Sequence, residues 1–432
     1  MAAERREPFG VMRGKVADFS ARIADEKQRR MFLNCFYSTL ETTVRRQEDG
    51  SVYVITGDID AMWLRDSAAQ VLHYVPFAAE DADAAALIRG VLARQMRYIC
   101  LDPYANAFNE APNGRGHRGD LCEQSDWVWE KKYETDSLCY PFWLAFRYHA
   151  ATGDCSVFDE TFFAAFGRAL DVFVCEQRHA ECSGYSHYRP DAPHEPSIPN
   201  RGKGNPVAYT GMTWSGYRPS DDPCTYGYFV PGNFFAAKVC EDFSALFSAG
   251  EHAPLAARAA ALAEQIRGGI AAYAVVRHPR FGAVYACETD GLGHRLLMDD
   301  ANVPSLLSLP WLGCVRADDP VYKNTRRFVL SAENPYYFEG SVLSGVGSPH
   351  TPQGYVWHIG VIMQALTAES AEETEACLAM LLRSGAGREV MHEGVDKDDA
   401  ERYTRDWFAW ANSMFAQLVL EKSETILKMR SK

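Results

Sequence analysis

Apolar residues along this chain recur mostly at three- and four-residue steps, the period of one helix face. In PLAARAAALAEQIRGGIAAY the set is Leu255, Ala259, Leu262, Ile266 and Ile270. Phe32, Phe36 and Leu40 repeat it, as do Leu87, Val91 and Met96 with one slip, then Leu378, Leu381 and Leu382, and finally Trp407, Ala411, Met414 and Leu418. Gly385 is placed to cap the helix that carries the Leu378 set. Alternation with a period of two is confined to SVYVITG, before Asp58, and FGAVYACET, around Val284, and predicts short hairpins. The fold class expected is all-α.

Between the helical stretches lie polar segments rich in aromatic residues, Gly, Pro and Asn: Asp102 to Asp126, Ser183 to Gly232, and Asn334 to Gly354. Loops beyond about 12–15 residues are uncommon in compact domains unless they have a function, so these three are expected to build an active face. Neither a low-complexity linker nor a fixed repeat divides the chain, and a single domain over 1–432 is expected. Helices joined alternately by short and long connections suit a toroid of helical hairpins with its site at one end, or an α-solenoid.

Charge narrows the partners. The 432 residues carry 44 basic and 57 acidic side chains, a net −13, and the basic stripe that displaces counterions from nucleic acid or an anionic membrane is missing. No run approaches the roughly 20 apolar residues of a membrane span. MAAERREPFG lacks the apolar stretch of a secretory signal, and the twelve cysteines are scattered singly with no C-x-x-C pair. The expectation is a soluble, cytoplasmic protein whose cysteines are small buried hydrophobes.

Several motifs point away from cofactors. Gly114, Gly116 and Gly119 match G-x-G-x-x-G, but YANAFNEAPN precedes them where a dinucleotide site needs an apolar strand; a glycine turn is expected. Asp58-Ile-Asp60 has the form of a cation-binding D-x-D pair, yet the βαβ alternation of a nucleotide-sugar domain is missing. His392-Glu393 has no second histidine four residues on, and His350 and His358 are eight apart across Pro352 and Gly354. Neither spacing makes a zinc site. No metal and no cofactor are expected.

The remaining constellations suit a sugar. GDIDAMWLRDSAAQ sets Asp58, Asp60, Arg65 and Asp66 around Met62-Trp63-Leu64. A helix starting there would take Asp58 or Asp60 as N-cap, and an Arg65–Asp66 ion pair is the plain structural account. Trp63 favours a sugar subsite, in which carboxylates and a guanidinium grip vicinal hydroxyls and an indole covers the apolar ring face. In MTWSGYRPSDDPCTYGYFVPGN, Asp221 and Asp222 adjoin among Trp214, Tyr217, Tyr226 and Tyr228. Mutual repulsion and aromatic desolvation raise one carboxyl, as a general acid near neutrality requires; an Asp-rich turn is the alternative. Glu393, in MHEGVDKDDAERYTRDWFAW, stands apart from the charge run Asp396 to Arg402, which reads as a solvated face. Two carboxylates from distant loops are what glycoside hydrolysis demands.

Six blocks together resemble glycoside hydrolase family 125: TGDIDAMWLRDSAAQ, DPYANAFN, WVWEKKYETDSLCYP, MTWSGYRPSDDPC, GSPHTPQGYVWHI and RDWFAWANSMF, in order from about Thr56 to Phe415. The resemblance implies an (α/α)6 barrel and an exo-acting, inverting, metal-independent α-1,6-mannosidase, with α-mannosides or α-1,6-linked manno-oligosaccharides as substrates. It implies that the RPSDD loop supplies the general acid, Asp221 favoured and Asp222 the alternate, and that Glu393 of MHEG is the base. Asp60, Trp63, Arg65 and Asp66 would hold the terminal mannose, and Glu134, Asp136, Trp214, Arg218, His350 and Trp357 would belong to the same pocket. Inversion needs the two carboxyl groups roughly 6.5–9.5 Å apart to admit a water. The rival readings are another helical-toroid enzyme (a glucosidase, a trehalase, or an epimerase using His350 and His358) and a non-catalytic glycan-binding protein. Release of mannose without glucose separates these.

Overall fold

A computed structural model describes residues 8–190 and 197–429; the first seven residues of MAAERREPFG and part of the Ser183 to Gly232 loop lie outside the described residues. Among these, twelve helices of nine residues or more follow one another: α1 Gly10–Ser20, α2 Glu26–Ser38, α3 Leu64–Leu72, α4 Ala82–Leu101, α5 Thr135–Thr152, α6 Glu160–Glu176, α7 Val230–Phe247, α8 Ala253–Gly269, α9 Pro320–Val329, α10 His358–Leu366, α11 Ala371–Arg383 and α12 Ala409–Glu421.

They form two concentric layers, the (α/α)6 arrangement. In the inner layer α12 packs on α3, α3 on α5, α5 on α7, and α10 on α12. The irregular stretch 301–314 takes the remaining inner place, with Leu306, Leu307, Leu309 and Leu312 buried and the Tyr140 hydroxyl of α5 donating to the Val303 carbonyl at 3.0 Å. Outside, α2 backs α12, α4 lies on α6, α8 on α7, and α11 on α10. Sequence chemistry sorts the layers. Every residue of α3 is buried, as is α12 from Ala409 to Val419, so an inner helix has no polar face to show. The outer α8 keeps one, burying Ala256, Ala259, Leu262, Ala263 and Ile266. One apolar cluster runs through both layers from Phe9 to Ile426.

The predicted apolar sets fall on α2, α4, α8, α11 and α12, with Leu40, Leu255, Leu382 and Trp407 only half-buried at their edges. Gly385 is not the cap expected: α11 ends at Arg383, the Ser384 N–H bonds the Met380 carbonyl, and the left-handed backbone falls at Ala386 and Gly387. The two predicted hairpins are present, as Val44–Arg46 with Val52–Val54 and Val275–His278 with Gly282–Tyr285. The charge run is more ordered than a solvated face requires. Gly394–Asp396 and Asp399–Tyr403 pair as antiparallel strands, leaving Asp399, Glu401 and Arg402 exposed.

Short strands gather where the inner helices begin. Met62–Trp63, Tyr228–Phe229 and Tyr355–Trp357 immediately precede α3, α7 and α10, and each pairs with a strand from a long loop. The long loops and the N-termini of the inner helices therefore share one face. Among the described residues no helix is long and apolar enough to cross a membrane.

Candidate active site

That face holds a cavity lined by Thr56, Ile59, Trp63, Arg65, Asp66, Pro219, Ser220, Asp221, Asn302, His350, Trp357, Glu393, Arg405, Phe408 and Trp410. Its apolar walls stand at helix starts: Trp63, Trp357 and Phe408 are the residues just before α3, α10 and α12. The partial positive charge at such N-termini favours carboxylates beside them, and Asp66, Glu134 and Asp136 occupy those positions.

Arg65 organises this floor. Its Nη1 donates to Glu134 Oε2 at 2.7 Å and to Asp136 Oδ2 at 3.1 Å, its Nε lies 3.6 Å from Asp66 Oδ2, and its guanidinium carbon is 5.1 Å from the Trp410 ring centre. Burial alone would lower the guanidinium, and the carboxylates more than offset it, holding Arg65 well above the usual arginine value. Burial pushes the Glu134 and Asp66 carboxyls up against the pull of Arg65, and Asp136 rises to about 6 for the same reason. Of the three acids around this cation only Asp66 lines the cavity, so it is the one that can accept from a sugar hydroxyl. Thr56 Oγ1 donates to Asp66 at 2.8 Å and fixes its carboxylate at the cavity wall.

The neighbouring aspartates face opposite ways. Asp221 lines the cavity on a left-handed backbone, φ 68°, which aspartate accepts more readily than bulkier residues. Lys132 Nζ is 3.9 Å from its Oδ1. Asp222 turns away: its carboxylate accepts from Ser220 Oγ at 2.8 Å and lies 3.8 Å from His350 Nδ1. Burial raises the Asp222 carboxyl, although that group is not part of the cavity wall.

Glu393 enters from the strand that follows it. The His358 N–H donates to its carbonyl at 3.2 Å and its own N–H donates to Thr404 O at 3.4 Å. Arg405 Nη1 stands 3.7 Å from Glu393 Oε1, and Arg405 is itself held by Asp58, its Nε donating at 3.0 and 3.1 Å. Asp221 and Glu393, 172 positions apart in the chain, thus face one space.

The family model for metal-independent alpha-mannosidase (GH125) matches residues 25–420. The chain belongs to that family. It is 42% identical to a solved Streptococcus pneumoniae family member in a non-productive complex with alpha-1,6-mannobiose, with a TM-score of 0.93 over 97% of this chain and 99% of that one. The meiotically up-regulated gene 157 protein of Schizosaccharomyces pombe is 40% identical over 431 residues, 95% of this chain and 85% of its own. More distant structures share the fold: a glycosidase at 15% identity and TM-score 0.55, covering 94% of this chain and 98% of its own, and the neutral trehalase Nth1 of Saccharomyces cerevisiae at 12% and 0.51, covering 88% and 76%.

Several residues expected in the pocket of this GH125 protein lie elsewhere. Asp60 is on the outer rim, paired with Arg45 Nη1 at 2.7 Å and Arg115 Nη1 at 2.5 Å; these ion pairs occupy its carboxylate. Neither Asp58 nor Asp60 caps α3, whose N-cap is Trp63. Trp214 is enclosed, stacked 3.7 Å from the His179 ring with Gly204, Gly216 and Gly227 against it, so no sugar can lie on it. Arg218 braces the turn that carries Asp221 from behind, its Nε 3.3 Å from Glu288 and its backbone carbonyl accepting from the Asp221 N–H at 2.9 Å. Glu134 and Asp136 reach the cavity only through Arg65. Gly119 lies in the turn closed by the Asp120 N–H donating to the His117 carbonyl at 3.3 Å, and Gly116 lies at a bend where, at φ 110°, a side chain would stand 2.2 Å from the Trp129 carbonyl.

Other lining residues escaped the sequence reading. Arg405, Phe408 and Trp410 sit in the RDWFAWANSMF block, where a charge beside aromatics was the available signal. Asn302, whose side-chain amide donates to Asp300 at 2.9 Å, lies in MDDANVPSL, which offers no periodic or aromatic cue.

Proposed function

We propose that this protein is an exo-acting α-1,6-mannosidase that inverts configuration in a single displacement without a metal. The observation that carries the reading is the meeting of Asp221 and Glu393 on one cavity whose floor is the Arg65–Asp66 group. Family membership and the likeness to a relative complexed with alpha-1,6-mannobiose support the sugar and the linkage. A non-reducing terminal α-mannosyl unit enters, its hydroxyls bonding Asp66 and Arg65 and its apolar face lying against Trp63 or Trp357. Asp221 gives its proton to the glycosidic oxygen as the bond to the anomeric carbon breaks. A water attacks that carbon from the opposite face and yields its proton to Glu393, leaving β-mannose and the shortened glycan. Asp66, on the cavity wall, stabilises the oxocarbenium-like charge.

The reading also takes the whole chain as one catalytic domain, supported by the continuous core from Phe9 to Ile426. It places the enzyme in the cytoplasm, supported by twelve cysteines that are all free thiols, as a reducing compartment keeps them. The deciding experiment is NMR of the first-formed anomer during hydrolysis of α-1,6-mannobiose, with EDTA present. The expected result is β-mannose at an undiminished rate. Formation of α-mannose first, loss of rate with chelator, or release of glucose from trehalose instead would overturn it.

A further inference from the structure

We infer that His358, the first residue of α10, is a positioning residue for Glu393, gripping the peptide that carries the carboxylate with its backbone N–H and its ring together. This rests on the reading of Glu393 as the base. The His358 N–H donates to the Glu393 carbonyl at 3.2 Å, and the His392 N–H donates to His358 Nδ1 at 2.8 Å. A ring nitrogen that accepts is unprotonated, so the proton sits on Nε2 and donates to Ser384 Oγ at 2.9 Å. The Ser384 hydroxyl in turn donates to the Met380 carbonyl at 2.8 Å. One chain of directed bonds therefore runs from outer helix α11 through inner helix α10 to the two residues on which the base is mounted.

The ring is fully buried, and burial keeps it neutral, lowering its pKa to about 3. The far side of the same loop is tied separately. Thr404 takes the Glu393 N–H through its carbonyl at 3.4 Å and the Gly394 N–H through its hydroxyl at 3.0 Å, and His392 Nδ1 donates to Arg405 O at 3.2 Å. His358 is thus the helix-side half of a clamp whose strand-side half is Thr404. The site requires an acceptor toward the loop and a donor toward α11 on one short rigid side chain, which imidazole supplies. Asparagine can place its amide oxygen where Nδ1 accepts, but its N–H is too short to replace Nε2 on Ser384.

His358→Leu is expected to lower kcat about 10²-fold, the cost of displacing a catalytic group by roughly 1 Å, while KM moves less than about threefold, because the sugar contacts remain. His358→Asn should recover most of that loss, and Ser384→Ala should lose part of it with the same kcat-against-KM split. In a Glu393→Gln background His358→Leu should cost nothing further, since the group it positions is already disabled. Wild-type kcat in His358→Leu, equal losses in both backgrounds, or His358→Asn as impaired as His358→Leu would overturn the inference. Should His358→Leu fail to fold, Ser384→Ala decides: unchanged kcat overturns the relay. ¹⁵N NMR of the His358 ring reads the tautomer without reference to activity, and a proton on Nδ1 would also overturn it. Absence of mannose release from the wild-type protein would instead sink the mannosidase reading, with the tautomer still judging the clamp.

Discussion

Asp221 and Asp222 share a turn and differ in what they face. The turn Pro219 to Asp222 points one carboxylate into the cavity and the other onto Ser220 and toward His350. Asp221→Asn and Glu393→Gln should each lower kcat by about 10²–10⁴, the span of a lost general acid or base, whereas Asp222→Asn should cost less than about tenfold. Steady-state kinetics on α-1,6-mannobiose measures this, and the reverse order for the two aspartates would reassign the acid. Adjacent carboxylates in a loop of aromatics are visible as chemistry in the chain itself. Which of them looks inward depends on a backbone angle of +68° at Asp221, and residue types alone do not dictate that.

Helical period was legible on four outer helices and on one inner helix, α12, whose largest apolar side chains happen to keep a three- to four-residue step. The outer α2, α4, α8 and α11 bury one face, so their apolar residues keep a helical period. The inner α3 and α10 are buried nearly throughout, which erases the period, and α5 and α7 are likewise apolar around most of their circumference. Close packing against the loop strands constrains these helices. A side chain on Gly360 of α10 would come 2.7 Å from the Val346 carbonyl, so Gly360→Ala should destabilise by about 1–3 kcal/mol through overpacking. Ion pairs sort by layer too. Arg65→Met strands Glu134 and Asp136 without their cation and should cost about 3–5 kcal/mol. Arg45→Ala, on the rim beside Asp60, should cost at most about 1 kcal/mol. Urea denaturation of the variants tests both; equal losses would refute this sorting.

Across the whole molecule, buried titratable groups make stability depend on pH in both directions, and the neutral histidines supply the part that weakens in acid. His73 and His358 are fully buried, and burial lowers each pKa to about 3, against an unfolded value near 6.5. Between those values the unfolded chain binds protons that the native state refuses, so each histidine's contribution to stability falls as pH drops below about 6.5, opposed by the raised carboxyls of Asp66, Glu134 and Asp136, which take up protons in the native state. Each histidine contributes about 1.4 kcal/mol per pH unit over that window. Denaturant midpoints of the wild type and a histidine variant, compared at pH 7 and pH 5, isolate that contribution. His73→Gln, which retains a donor for the Phe36 carbonyl that His73 Nε2 meets at 3.1 Å, should remove one histidine's share. An unchanged slope in that variant would show that His73 titrates normally.

Spacing along the chain was enough to establish α2, α4, α8, α11 and α12, the two hairpins and a pair of acids set among aromatic loops, because each of these is a local pattern of side-chain type. The family blocks extended that reading to a barrel and a sugar. Only the closed ring decided the rest. It buried Trp214, drew Asp60 into rim ion pairs, set Arg65 before Glu134 and Asp136, and brought Arg405 and Asn302 to the cavity beside residues hundreds of positions away. Such convergence follows from how the inner helices pack around a common axis, a relation between remote segments for which no single segment carries a signal.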